Sequence, residues 1–248
     1  MTERLEVERD GAIARVWLAR PEKRNALDTE TLEELIALYD GFARDLDVRV
    51  AVLGGRGVSF CAGADRSAPP GFTGLRGGSQ RELRWAAQLG RRAVTAIADA
   101  EVVTVARLHG HVLGGGLCLA VACDFRLAAT DARLALPEID LGLPLTWGGT
   151  ARLVHELGAA RARELIMLCD QVDGAAAERW GLVHRAVPAE ELDAVVDDWA
   201  TRLAGKPEVA VHMAKTQFRA LSRLGGLGDT TELDGDLLLG ATRAGATF

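Results

Sequence analysis

Cysteine is scarce in this chain: Cys61, Cys118, Cys123 and Cys169 are all it has in 248 residues. None stands in a Cys-x-x-Cys pair, which removes zinc-ribbon and dithiol-redox readings. A disulfide-stapled scaffold is excluded on the same ground, and reduced thiols in a cytoplasmic protein are the simplest expectation. No apolar run approaches the ~18 residues that span a bilayer, so no membrane partner is expected. The first eight residues are charged and lack an apolar segment, so no signal peptide is expected. Neither Gly-x-Gly-x-x-Gly nor Gly-x-x-x-x-Gly-Lys-Ser/Thr occurs, so the usual dinucleotide and phosphate loops are missing. An excess of basic residues is missing too. Lys and Arg number 29 against 35 Asp and Glu, a net charge of −6, which argues against nucleic acid. A local cationic patch for a phosphorylated ligand is still compatible with that balance. No metal or resident cofactor is expected.

What is present is a large core. Hydrophobic residues make up 48% and charged residues 26%, which places the chain among globular α/β proteins. Residues 5–7 and 13–18 are β-prone runs around Asp10-Gly11, a hairpin signal. Asp28 is a good N-cap for a helix reaching Phe42. The pattern then predicts a strand over 48–53, a mobile loop over 66–80, a helix over 81–98 and a strand over 102–108. Next come a short buried helix over 117–122, strands over 125–128, 134–135 and 183–187, and helices over 150–157, 160–169, 174–180, 189–204 and 207–224. Strands and helices in front, helices behind, is not the regular alternation of a doubly wound sheet.

Residues 109–124 (HGHVLGGGLCLAVACD) carry the sharpest signal. Three glycines, Gly114, Gly115 and Gly116, follow an apolar strand and open an apolar helix. Glycine admits close backbone approach, and a helix start offers unpaired N–H groups and the positive end of the peptide dipoles. That combination serves either as a tight turn or as an anion site built from main chain.

Four segments occur in the order and spacing of the crotonase (enoyl-CoA hydratase/isomerase) superfamily, which the chain resembles from about residue 4 to 240. They are 20–27 (RPEKRNAL), 59–65 (SFCAGAD), the glycine stretch and 136–144 (LPEIDLGLP). The resemblance implies a spiral of ββα repeats over 1–190 and a helical trimerisation region over 191–248. It further implies trimers or hexamers and an acyl-CoA thioester as substrate. It assigns an oxyanion hole to the backbone N–H groups of Ala64 and Gly115, which suits the negative carbonyl oxygen of a thioester enolate. It places Lys23, Arg24 and Ala26 near the nucleotide end of CoA, where cations suit phosphates, and Ala62 near the adenine. Gly114 and Asp65 adjoin these positions, and the simplest role for Asp65 is to cap its own turn.

Hydratases of the family hold a water between two glutamates. The second matches Glu138. The first falls on Cys118, a thiol that cannot replace a carboxylate and whose pKa should rise in an apolar helix. Dehalogenases and dienoyl isomerases of the family use an aspartate just beyond Gly142, where this chain reads Leu143-Pro144-Leu145-Thr146-Trp147. Dihydroxynaphthoyl-CoA synthases use tyrosines, and the only tyrosine here, Tyr39, falls in the first long helix. One carboxylate with an oxyanion hole implies proton transfer between carbons, the 3-enoyl to 2-enoyl isomerisation, with Glu138 as base and Trp147 lining the acyl pocket. A hydratase or lyase with an atypical site, or a non-catalytic acyl-CoA binder, are the alternatives. His109 and His111 read as packing residues. The segment 240–248 has one basic residue, where the family usually carries several that reach CoA in a neighbouring subunit.

Overall fold

The computed structural model describes residues 4–71, 78–224 and 234–243. Two sheets organise it. The larger contains β1 (Leu5–Asp10), β2 (Ile13–Leu18), β3 (Val50–Gly55), β4 (Val103–Leu108), β6 (Phe125–Ala129) and β9 (Arg185–Val187), side by side in that order. β1 and β2 pair antiparallel and every later neighbour is parallel. The Asp10-Gly11 turn closes the hairpin as its composition predicts, with Gly11 at φ +55°. β3 is buried along its whole length and β4 almost so, the signature of parallel strands covered on both faces.

The smaller sheet contains β5 (His111–Leu113), β7 (Arg133–Ala135) and β8 (Val172–Asp173). Two single bridges, Leu27 to Ala64 and Cys61 to Val112, continue it rung by rung. Each pass through the large sheet is thus followed by a short rung in the small one and then by a helix. β2, Leu27 and α1 (Thr29–Gly41) make one such turn. β3, the 61–64 rung, α2 (Gln80–Ala87) and α3 (Leu89–Ala98) make the next. β4, β5 and α4 (Gly115–Ala122) follow, then β6, β7 and α5 (Gly149–Met167). This is a spiral of ββα units. The segments that follow the small-sheet rungs, 62–65, 114–118 and 137–147, come together to form the site.

Local chemistry explains most boundaries. Asp28 caps α1 through its side chain on Thr31 N–H at 2.9 Å. Ser79 and Glu82 form a capping box at the start of α2. α6 (Gly174–Trp180) is capped by Asp173 and closed by Gly181 in the left-handed region. α7 (Leu192–Ala204) buries Leu192, Val196 and Ala200, a stripe spaced every four residues and laid on β2, β3, β4 and β6. α8 (Glu208–Leu224) and α9 (Asp234–Arg243) complete the helical back.

Several elements differ from the sequence pattern. The helix expected over 81–98 is two helices that meet at Gln88. α9 falls inside the helical region over 191–248 that the resemblance implies, but the residue pattern does not mark it, because 234–243 mixes aspartates and glycines with its leucines and lacks a strong helical signal. β5 and β8 are only three and two residues long, too short to show a period. The two helices around 150–169 are continuous in hydrogen bonding but kinked at Gly158, with φ +71° and ψ 160°. Within the expected loop over 66–80, residues 72–77 lie outside the described part. No described helix is long and apolar enough to cross a membrane.

Candidate active site

The first wall of the site is the 62–65 turn. In its parallel bridge with Ala64, Leu27 donates its N–H to the Gly63 carbonyl at 2.8 Å and accepts from Asp65 N–H at 2.8 Å. The flanking residues therefore take the ladder bonds, and the N–H of Ala64 itself faces away from Leu27 with no partner among the described residues. The Asp65 carboxylate accepts from Ser67 N–H (3.0 Å) and the Ser67 hydroxyl (2.6 Å), and pairs with Arg20 at 2.9 Å. Burial opposes its charge, but the bonds from Ser67 and Arg20 outweigh burial and hold its pKa at about 2. Asp65 thus fixes the turn that presents Ala64.

The second wall is the start of α4. Gly114 sits at φ +50° and ψ −121°, a conformation that only glycine adopts readily. Its N–H donates to Ala135 at 2.9 Å and its carbonyl accepts the first helical bond from Cys118 at 3.0 Å. Gly115 N–H, next in line at the helix start, has no partner among the described residues. The two turns touch: a Cβ on Gly63 would lie 3.1 Å from the Leu113 carbonyl. Two N–H groups without partners among the described residues thus lie on adjoining turns, an arrangement able to bind an anionic oxygen.

Glu138 stands over the same spot. A Cβ on Gly114 would fall 2.6 Å from its Oε1. Its own carbonyl accepts from Leu141 and Leu143 N–H at 3.0 and 2.9 Å, so the backbone beneath the carboxylate is held rigid. Its Oε2 is shielded from solvent and has no hydrogen-bond partner among the described residues. Burial raises its pKa to about 7, since desolvation disfavours the charged form. Cys118, one turn into α4, is buried beside it. Burial pushes its thiol well above the usual range, and the charge of Glu138 adds to that. The thiol is therefore neutral at physiological pH. Its Sγ would lie 2.9 Å from a Cβ on Gly149, so α5 leaves no space on that side.

Trp147 closes the wall behind Gly115. Its ring would collide with a Cβ on Gly115 at 2.3 Å and with one on Gly90 at 1.9 Å. The indole is thus held between two glycines, on α3 and α4, and Trp147 itself adopts φ +60°. A tryptophan in the left-handed region is strained, a cost that local packing must sustain. Around these groups lies a cavity of about 290 Å³. Of the residues expected at the site, Ala62, Ala64, Gly114, Gly115, Glu138 and Trp147 line it together. Lys23, Arg24, Ala26 and Asp65 do not. Lys23 and Arg24 are exposed on the 3-10 turn over 21–23 and its end. Arg24 joins the site only through its carbonyl, which accepts from Ala62 N–H at 2.9 Å. His109 bonds the Gly57 carbonyl at 2.9 Å and His111 the Ser59 hydroxyl at 3.1 Å. Neither lines the cavity.

The outer part of the wall carries no sequence signal. Ala86, Ala87 and Gly90 come from α2 and α3, and Leu238 from α9. No motif marks them, and they meet only because α2 and α9 pack together. Arg20 was missed as well. Besides Asp65 it faces Asp28 at 3.3 Å, and its N–H donates to Asn25 at 2.9 Å. Its place in the RPEKRNAL segment was the available signal.

Comparison with known proteins agrees with the geometry. The family model for enoyl-CoA hydratase/isomerase matches residues 8–240. A crotonyl-CoA hydratase of Syntrophomonas wolfei is 34% identical over 214 residues, covering 86% of this chain and 80% of its own. The crystal structure of an enoyl-CoA hydratase from Mycobacterium avium subsp. paratuberculosis superposes with a TM-score of 0.86 at 28% identity, covering 98% and 95%. A Thermobifida fusca protein described as a putative enoyl-CoA hydratase in complex with CoA gives 0.80 at 29% identity, covering 98% and 92%. Fold and site define an acyl-CoA-processing enzyme. The chain belongs to the enoyl-CoA hydratase/isomerase family of the crotonase superfamily.

Proposed function

We propose that this enzyme moves a double bond in an acyl-CoA thioester, converting 3-enoyl-CoA to 2-enoyl-CoA. One observation carries the proposal. Glu138 is the only carboxylate among the described residues that line the cavity, and the residue beside it is the neutral thiol Cys118. The thioester carbonyl oxygen sits between Ala64 N–H and Gly115 N–H. Glu138 takes a proton from C2, and the electron pair passes into the C1–C2 bond and the carbonyl oxygen. The two N–H donors stabilise that oxyanion without any reorganisation. The proton on Glu138 is then returned to C4, the electron pair flows back, and the C2–C3 double bond forms. A base with a pKa near the working pH can both take and return the proton.

The nucleotide end of CoA lies along Lys23, Arg24, Ala26 and Ala62. The exposed place of Lys23 and Arg24, next to the half-buried Ala26 and Ala62, and the CoA complex of the Thermobifida fusca relative, support this. Trimers or hexamers belong to the same reading. Val209, Met213, Phe218 and Leu221 leave large apolar side chains exposed on α8, which favours a covered surface. Hydration of 2-enoyl-CoA is the second reading, favoured by the naming of the Syntrophomonas wolfei relative as a hydratase. It requires a second group to activate water beside Cys118. A panel of 3-enoyl, 2-enoyl and 3-hydroxyacyl thioesters, run with wild type and Glu138→Gln, separates the two. The expected result is Glu138-dependent isomerisation with little hydration. Hydration of crotonyl-CoA at a rate comparable to or above isomerisation overturns it.

A further inference from the structure

The cavity extends past the catalytic groups into a part of the molecule that is packed separately from the main core. Behind Gly115 the wall is the indole of Trp147, and behind the indole is Gly90. One helical turn before Gly90 come Ala86 and Ala87 of α2, and next to these Leu238 of α9. Ala87, Leu143 and Leu238 form a small buried cluster of their own, with Leu141 packed against it. All four residues line the cavity. α9 is fastened over this end by an ion pair between Arg84 and Asp236 at 3.2 Å. Asp234 adds a hydrogen bond that it accepts from Gly148 N–H at 2.6 Å. Among the described residues, nothing in this outer chamber offers a polar side chain. The polar groups of the described lining belong to Arg66, Cys118, Glu138, Thr146 and the indole N–H of Trp147, none of them in the cluster.

We propose that Leu238, with Ala87 and Leu143, sets acyl-chain length, and that the enzyme takes unsubstituted apolar acyl groups of medium length. The cavity volume of about 290 Å³ holds about ten groups the size of a water molecule, and since the thioester itself takes some of that space, acyl groups of about six to eight carbons fill it. A four-carbon acyl group leaves the cluster uncovered. A hydroxyl or charge on the tail is desolvated there without a partner, which disfavours it. Each methylene added up to that limit strengthens binding about fourfold, and affinity levels off beyond it. This assignment rests on the proposed acyl-CoA site but not on the reaction performed there.

The test is calorimetric binding of saturated acyl-CoA thioesters of four to twelve carbons to the full chain, with 3-enoyl-CoA turnover measured in parallel. Wild type is expected to tighten about a hundredfold or more from four to eight carbons and then level off. Leu238→Phe is expected to move the plateau to shorter chains, with four-carbon binding within about twofold of wild type. Leu238→Ala is expected to move it to longer chains, and Leu238→Met to leave it in place. If Phe does not fold, the Ala and Met pair still decides. A profile flat with length, tightest at four carbons, or unmoved by both Phe and Ala overturns the inference. Length-dependent binding without isomerisation overturns the proposed reaction and leaves this assignment standing. Isomerisation with length-independent binding does the reverse.

Discussion

In the proposed reaction Glu138 is the base and the buried thiol of Cys118 stays neutral beside it. Burial raises the Glu138 pKa to about 7 from the 4.5 of a solvated glutamate, so the folded chain binds that proton more tightly than the unfolded chain does. As a base Glu138 must be ionised, and kcat/KM for isomerisation is expected to rise through pH about 7 with a single ionisation. Stability runs the other way. It is greatest below the unfolded value and falls as pH rises from about 4.5 to 7, by up to about 3 kcal/mol. Glu138→Gln is therefore expected to lose activity by at least a hundredfold, within the range for a positioned base. It also loses that pH-dependent component, so the gap in Tm between variant and wild type shifts in the variant's favour between pH 5 and pH 8. Thermal scans at both pH values check this; an unchanged gap shows that Glu138 is not strained in its charged form. Cys118→Glu places a second carboxylate where hydratases of the family carry one. It is expected to raise hydration of crotonyl-CoA at least tenfold, read directly against the isomerase rate. Two buried carboxylates cannot both ionise easily, so its pH profile is expected to broaden as well.

At the scale of elements, the site depends on how closely helices approach. Gly90 lies in α3, where alanine is the better helix former by about 1 kcal/mol. Yet a Cβ there falls 1.9 Å from the Trp147 ring. Gly90→Ala is expected to lose that gain, and about 1–3 kcal/mol more as the core is overpacked. The displaced indole shifts its contact with Gly115, so kcat falls more than KM rises; urea melts and steady-state kinetics on one preparation check both. The same contact shows why part of the fold was hidden in the sequence. The β1–β2 hairpin was legible because Asp10-Gly11 is local chemistry, and α1 because Asp28 caps it. The break at Gln88 was not, since no proline or capping residue marks it and it lies where α3 has to admit Trp147. α9 was invisible for a related reason. It holds through α2 and the Gly148 N–H rather than through its own residues, and Leu238 reaches the cavity only by that docking. Gly115 and Glu138, which line one cavity, stand out in the sequence because each lies in a contiguous motif. The outer chamber is assembled from segments about 150 residues apart in the chain, Ala87 and Leu238, and no local pattern reports such a meeting.

For the whole molecule, the question is what ties the helical back to the spiral. α7 does so with an apolar stripe, but α8 uses a charge. Lys215 is buried, and its Nζ donates to the Val102 carbonyl at 2.7 Å and to Asp124 at 2.7 Å. Asp124 in turn accepts from the hydroxyl and N–H of Thr104 at 2.9 and 2.7 Å. One lysine thus fastens α8 to the β4 entry and to the turn after α4, the helix that begins with Gly115. Removing one partner of such a pair leaves the other charge desolvated, which costs far more than the pair itself contributes. Lys215→Met is expected to destabilise the fold by about 3 kcal/mol. Asp124→Asn, which keeps the Thr104 contacts, is expected to cost less. The double variant is expected to recover part of the sum, because the two groups act as one unit. Urea unfolding of all four proteins gives the coupling. Hydrogen exchange is expected to show α8 amides losing protection in Lys215→Met before those of β3 do, since the helix loses its anchor while the sheet keeps its own ladder. Equal loss in both makes the lysine a part of the global core instead of a fastening for α8.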